Sequence, residues 1–596
     1  MPAGIRHALT ELPETLDETY QRTLREINEA DWEFAHRLFQ FVAVASRPLR
    51  VKELAELLAF DFKAGPIPEF HVDWRLEDPV DAVLSVCSSL LVVIDVEGSP
   101  IIQFSHFSVK EFLTSARLAE ASNIIHRRYH VSMSPAHTLA SQACLGSLLH
   151  LDEDVITRSG LEEYPLAEYA AENWVYHAQF EEVSQNVEDG MKQLFDPSKP
   201  HLMFCIWIYD PVDRRSIIDR QERPHPTFGS PLHYAAFWGL HSIAHFLVIE
   251  HSQDVHSRNG IDDTTPLHLA SRNGHIQVAY FLLERGADVL AQDMYGDTPL
   301  HMASRRGHTD VADLLIECGA DASAQNMDGI SPLHWASRQG HMDVAHVLVE
   351  CGTDVSAQGG YGNTPLHEAS VEGHMDIAHM LIECGAEISA PNKYGRTPLH
   401  NALLAEHLEV AHMLIERGAD VSGQDEDEKT QLHLASERGY VDVAHSLIER
   451  GADISVQDKH GNTPLHLASQ KGAMDVAYML IERGAEVSAQ NKYGDTPLHG
   501  ASQGGYLEIV HMLIERGANV SAENEHRETP LHVLLVPAYY RIQQRLEVAR
   551  ILLEHGANVT AQDNDGLTPL DLASQDGSLA DIAHILIQHG AGPGAH

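Results

Sequence analysis

Forty-one histidines and six cysteines among 596 residues are the side chains best suited to metal chemistry, and their spacing decides whether they can perform it. His268, His301, His334 and His367 recur at 33-residue intervals, as do His275, His308, His341 and His374. Zinc needs donor atoms within about 2 Å of one ion, whereas equivalent residues on successive packed helices stand roughly 8–10 Å apart. Equivalent histidines therefore cannot share an ion, and a ladder of hydrogen bonds between repeats is expected instead, with no metal. Cys318, Cys351 and Cys384 occupy one position of three successive repeats, a spacing too wide for a disulfide. They are expected to be reduced, partly buried thiols. Cys87, Cys144 and Cys205 stand alone among apolar neighbours, and no catalytic cysteine is indicated.

Composition sets the frame for these residues. Hydrophobic residues make up 43% and charged residues 21%, enough apolar material to exclude wholesale disorder. Lys and Arg number 41 against 86 Asp and Glu, a net charge of −45, which disfavours nucleic-acid and anionic-membrane partners. No run of 18 apolar residues occurs, and the first 25 residues lack the apolar core of a secretory signal. A cytoplasmic location is expected, with the nucleus as the alternative.

The elements that hold the histidines are legible from the repeat. A Thr/Ser-Pro-Leu-His tetrad begins at Ser230, Thr265, Thr298, Ser331, Thr364, Thr397, Thr430, Thr463, Thr496, Thr529 and Thr568, with TQLH at Thr430 and TPLD at Thr568. From Thr265 to Thr529 every interval is 33 residues; the first interval is 35 and the last 39. Thr or Ser can cap a helix, and Pro at the first helical position loses no useful donor. Leu-His-x-Ala-Ser, a Gly-His turn and a second amphipathic helix follow, closed by Gly-Ala where glycine suits a left-handed residue. One unit cannot bury its own apolar faces, so stacking neighbours must supply the core.

These units resemble ankyrin repeats, from residue 230 to about 592. The resemblance implies a mainly α solenoid of about 11 repeats, with antiparallel helix pairs, β-hairpin fingers and a protein partner bound along the concave face. Candidate partner-binding residues are Arg272, Asn273, Arg305, Arg306 and Arg338 at first-helix ends, with Tyr295, Tyr361, Lys393, Tyr394, Arg396 and Tyr493 on fingers. Trp335, Tyr440 and Tyr506 add rings along that face; Tyr, Trp and Arg are enriched in interface hot spots. Glu428 and Arg527 replace the turn glycine found at Gly296, Gly329 and Gly362, so those two fingers are expected to be loosest. The tenth unit is six residues longer and carries Pro537, Tyr539 and Tyr540, while Asp571 stands in place of histidine in the last unit. The ERG pairs at Glu416–Arg417, Glu449–Arg450, Glu482–Arg483 and Glu515–Arg516 read as solvated helix ends.

The first 220 residues lack this period. EADWEFAHRLFQFVAVA, VKELAELLAFDF and DAVLSVCSSL read as helices, and LVVIDV with PIIQF as a hairpin. Ser108 and Glu111 form a capping-box pattern. Three helices and a hairpin describe a winged helix. The expected organisation is a lead-in over 1–27, a winged-helix domain over 28–120, a helical region over 121–218, a linker over 219–229 and ankyrin repeats over 230–596.

LPETLDETYQRTL, the RPL-x-VKELAELLA helix, LSVCSSLLVV and FSHFSVKEFL resemble the segment that follows the nucleotide-binding module in NACHT-type signalling NTPases. That resemblance implies a nucleotide contact for His106, with a hydrogen-bonded core histidine as the alternative reading of the same residue. It also implies a chain that starts where the NTPase module would end, since no GxxxxGK[ST] segment occurs. DNA binding is disfavoured because DAVLSVCSSL offers no Lys or Arg. No catalytic constellation is legible, so the expectation is a scaffold that is not an enzyme, takes no cofactor and binds protein. The alternative is the sensor portion of a nucleotide-dependent switch.

Overall fold

Leu38, Phe39 and Phe41 of helix Trp32–Val44 are fully buried, and the amino-terminal elements assemble around them. The computed structural model describes residues 16–75, 77–87, 90–96, 98–121, 123–151, 161–210, 229–535 and 542–592, and it divides into units Met1–Asp288 and Val289–His596. The expected linker is described only at Gly229; its other residues, with Pro537, Tyr539 and Tyr540, lie outside the described residues.

In the first unit, helices Trp32–Val44, Val51–Glu56 and Pro79–Cys87 lead into the antiparallel hairpin Leu91–Val96 and Ser99–Phe104, where Val93 faces Ile102. Leu49–Arg50 pairs with the other edge of Ser99–Phe104. Three helices and this sheet are the winged-helix arrangement. The second helix stops at Glu56 instead of running through VKELAELLAFDF. A tight turn at Leu57–Ala59 and strand Phe60–Asp61 follow, paired with Glu69–Phe70. The buried Phe60 ring lies 5.0 Å from Phe70, and such cross-strand aromatic pairing outweighs helix propensity.

Two carboxylates of the short helix are buried and fully engaged. Glu53 accepts from both Arg47 terminal nitrogens, at 2.9 and 2.8 Å, and from the Arg50 amide at 2.7 Å. Glu56 pairs with Arg75 and accepts from the Leu166 amide at 2.6 Å, which ties the winged helix to helix Leu166–Ala178. Burial raises the Glu56 carboxyl above its ordinary range despite these bonds. That helix and Met133–Leu149 bury a polar chain: Tyr169 hydroxyl to His177 Nε2 at 2.9 Å, and His177 Nδ1 to His137 Nδ1 at 3.0 Å. Burial, aided by His137, pushes His177 down to about 3.

Repeats begin inside the first unit, with helix pairs Pro231–Trp238/His241–Ile249 and Pro266–Arg272/Ile276–Glu284. The second unit holds nine more pairs among its described residues, from Pro299–Arg306/Thr309–Glu317 to Pro569–Gln575/Ala580–Gln588. The pairs open on one pattern, varied by Gln431 in place of proline and by Asp571 in place of histidine. At Thr298 the N-cap backbone is extended, Pro299 follows, and His301 stands third in the helix. His301 Nδ1 accepts from the Thr298 amide at 3.1 Å, and Nε2 lies 3.0 Å from the Ile330 carbonyl one repeat on. A nitrogen that accepts from an amide carries no proton, so Nε2 is the donor and the imidazole is neutral.

The expected histidine ladder is therefore present. His334, His367, His433 and His466 reach Asn363, Arg396, Asn462 and Asp495 carbonyls at 3.0, 3.0, 3.0 and 3.1 Å. Turn histidines form a second series: His374 Nε2 lies 3.2 Å from the Arg338 carbonyl, its ring against Gly340 at φ 78°. A Cβ at Gly340 would come within 2.6 Å of that ring, so glycine is required twice there, for its dihedral and for its missing side chain. In the tenth unit the second helix lengthens to Ile542–Glu554, and Arg545 bonds the Gln503 carbonyl at 3.1 Å instead. Asp571 accepts the Thr568 amide at 2.8 Å, so a carboxylate caps the last helix pair and has no N–H to donate onward.

Burial is the largest cause lowering the tetrad imidazoles, and it takes His334 and His367 down to about 4. The folded chain then binds fewer protons than the unfolded one wherever the pH lies between these values and the ordinary 6.5. This stabilisation is complete above 6.5, declines as pH falls, and is lost below the folded values. The denaturant midpoint should therefore drop steeply from pH 6.5 to pH 4, with several protons taken up on unfolding. A midpoint that stays flat across that window contradicts a neutral buried ladder.

Candidate interaction surface

Fingers of the second unit are stitched together through their backbones. Met327 donates to the Tyr295 carbonyl at 2.9 Å, Lys393 to Tyr361 at 3.0 Å, Glu426 to Tyr394 at 2.9 Å and Lys459 to Asp427 at 2.9 Å. The series continues with Lys492 to His460, Glu525 to Tyr493 and Asn564 to His526, each at 2.9 Å. Within these fingers, that of Tyr361 excepted, an Asx side chain braces the tip: Asn392 Oδ1 accepts from Tyr394 and Arg396 amides at 2.9 and 3.0 Å. Its Nδ2 donates sideways to Asn363 at 2.8 Å, and Asn326, Asn491 and Asn524 reach Asp297, Asn462 and Asp495 in the same way.

Side chains on this braced ridge are exposed and apolar or aromatic. Met327 is 78% exposed and Tyr361 64%, with Met294, Tyr295, Tyr394 and Tyr493 also exposed. Tyr361 and Tyr394 stack at 6.4 Å, and His460 with Tyr493 at 6.2 Å. Lys393 Nζ donates to the Gly360 carbonyl. Arg396 is half-buried, 5.9 Å from the Tyr394 ring and 4.0 Å from Asp425.

The first-helix face of this unit carries a second group. Arg305 lies 4.4 Å over the Trp335 ring, and Arg338 lies 5.8 Å from the same ring. Arg338 also meets Glu368 at 3.9 Å and Glu372 at 3.8 Å. Arg305 and Arg306 are exposed, whereas Trp335 is half-buried and its Nε1 lacks a hydrogen-bond partner.

Several expected residues are placed differently. Tyr440 and Tyr506 occupy the turn-histidine position, not the exposed face: both are half-buried, and Tyr506 lies against Gly472 and Gly504. Asn273 bonds the Leu269 carbonyl of its own helix at 2.9 Å and, with half-buried Arg272, belongs to the first unit. Cys318, Cys351 and Cys384 are exposed free thiols rather than partly buried ones, because they sit at helix C-caps beyond the apolar stripe. The ERG arginines are not merely solvated: Arg417 and Arg483 reach Glu383 and Glu449 of the preceding repeat at 3.8 and 4.0 Å, and Arg450 bonds the Glu416 carbonyl at 3.2 Å. His106 is exposed instead of buried, and it is the N-cap of helix Phe107–Leu113; Ser108 stands inside that helix. His106 Nδ1 lies 2.6 Å from Ser108 Oγ, which also meets the Tyr20 hydroxyl at 2.7 Å.

Glu428 and Arg527 do take positive φ, 58° each. Their fingers nevertheless keep the Asx brace, from Asp425 and Asn524. The finger that lacks it is Gly359–Gly360–Tyr361–Gly362, with glycine where Asn326 and Asn392 stand. The period contained this signal, an Asx position interrupted once.

Stacked helix pairs with a stitched finger ridge and an exposed first-helix face define a repeat solenoid. Ankyrin-repeat models match residues 232–326, 292–359, 333–425, 387–458 and 432–524, and a further ankyrin-repeat model matches 538–587. The chain is an ankyrin-repeat protein. Residues 26–124 match the winged helix domain of GPI inositol-deacylase. Azaphilone pigments biosynthesis cluster protein L of Monascus ruber is 32% identical over 302 residues, covering 47% of this chain and 61% of that protein. Alpha-latrocrustotoxin-Lt1a of Latrodectus tredecimguttatus is 45% identical over 62 residues, 10% of this chain and 4% of that one. The chain thus spans less than two thirds of either relative.

Gly359→Asn should restore the missing brace. The new Cβ would lie 3.1 Å from the movable Ile330 Cδ1, and two regained hydrogen bonds are worth about 1 kcal/mol. Amide exchange at Tyr361 and Asn363 should slow about fivefold; unchanged exchange refutes the idea that the Asx side chain sets finger rigidity.

Proposed function

We propose that this protein is a non-catalytic scaffold that recognises a protein partner through the fingers and first helices of its second unit. The observation that carries this reading is the ridge of exposed Met and Tyr side chains on a hydrogen-bonded backbone. Rings held before binding lose little entropy on association. Three exposed free thiols suit a reducing compartment, and cytoplasmic action fits them. Among the described residues no group of three or more His, Cys, Asp or Glu is placed to hold a metal, and no helix is long and apolar enough to cross a membrane.

The resemblance of the amino-terminal segment supports a role in NACHT-type signalling. One observation favours a sensor version of it: His106 is exposed at a helix start with Nδ1 engaged, which leaves its ring reachable by a nucleotide. The two readings separate by direct binding. Titration of this chain with ATP and ADP should show no saturable heat for the scaffold; saturable binding lost in His106→Ala favours the sensor.

Partner recognition itself is tested by Tyr361→Ala with Tyr394→Ala, compared with wild type by quantitative proximity labelling in cells. Both rings are exposed, so folding should be unaffected while labelling of a specific partner drops at least tenfold, a loss of about 1.4 kcal/mol. Undiminished labelling rejects the finger ridge.

A further inference from the structure

The second unit is acid-rich, with 18 Lys and Arg against 44 Asp and Glu over residues 289–596. Its cations accordingly find partners. Arg338, Arg396, Arg417, Arg438, Arg483 and Arg516 each meet a carboxylate, and Lys393, Arg450, Lys492 and Arg545 each donate to a backbone carbonyl. Among its described residues, Arg305 and Arg306 are the two cations with neither an ion pair nor a hydrogen bond, and they are adjacent and exposed.

Equivalent positions in other repeats show what is missing. Arg338, one repeat on from Arg305, is neutralised by Glu368 and Glu372. Lys471 meets Glu437, and Arg438 meets Glu406. Arg305 instead lies over the Trp335 face at 4.4 Å, which orients the guanidinium without neutralising it. Trp335 thus lies between a guanidinium that already has its carboxylates and one that has none.

We propose that Arg305, Arg306 and Trp335 receive an acidic segment of the protein partner, whose carboxylates take on Arg305 and Arg306 the place that Glu368 and Glu372 take on Arg338. This rests on the protein-recognition reading and names the partner's chemistry. Guanidinium groups bind carboxylates in paired hydrogen bonds, and an apolar side chain of the same segment would cover the exposed part of the indole. A nucleic acid is the poorer occupant: its affinity needs several cations per site, and the surrounding surface repels phosphate.

The test uses the full chain and a fluorescein-labelled eight-residue peptide alternating Glu and Leu, followed by anisotropy at low salt. Binding should weaken at least tenfold in the double variant Arg305→Gln/Arg306→Gln and in Trp335→Ala, and should stay unchanged in Arg516→Gln. Both arginines are exposed and unpaired, so the double variant should melt with wild type; should it not, Arg305→Lys, which keeps charge but loses the paired geometry, must still weaken binding. Equal binding by wild type and the double variant overturns the proposal. So does preference for the matching Lys–Leu peptide or for an oligodeoxythymidylate. A cellular partner that is lost with Tyr361→Ala/Tyr394→Ala but retained with Arg305→Gln/Arg306→Gln sinks the acidic segment and leaves protein recognition standing.

Discussion

The neutral tetrad imidazole is the contact on which the repeat array depends. Each ring does three things at once: it accepts the N-cap amide, meets the N-cap hydroxyl and donates to the next finger, as His367 does with Thr364 and Arg396. Only the Nε2–H tautomer satisfies all of them. Protonation would set two N–H groups against each other at the helix cap, and deleting the ring would leave a buried amide and carbonyl unpaired. Burial enforces the required state by disfavouring the charge.

From this contact the remaining order follows outward. A helix start bonded to the next finger fixes the distance between repeats, and that distance lets the finger backbones bond to one another from Tyr295 to Asn564. Asx side chains then brace every second-unit tip but that of Tyr361, and asparagines such as Asn392 and Asn524 reach across to the preceding finger. The surface grows stiffer than its loop character implies, because each turn is held both within itself and by its neighbour. Function is left to side chains at positions the frame does not use.

Much of this was legible in the sequence. The tetrad, its 33-residue spacing and the cap chemistry identified helix starts and the histidine ladder, since these contacts repeat with the chain. The winged-helix elements were legible too, although the helix after Val51 ended early because Phe60 pairs with Phe70 across a strand. Less accessible were residues whose surroundings come from elsewhere. His106 looked like a core residue and is an exposed cap; Tyr440 and Tyr506 looked like exposed rings and replace turn histidines. Nothing local distinguishes a ring lying on a neighbour's glycine from one facing solvent.

Sequence alone determined the period and the caps, because each is set by residues three or four positions apart or by a strict repeat. Only the tertiary structure decided which cations keep their charge available. Arg338, Arg417 and Arg438 are matched by carboxylates from adjoining repeats, while Arg305 and Arg306 are not. Side chains some thirty residues apart meet only through stacking, so pairing is a property of the packed array and not of either segment.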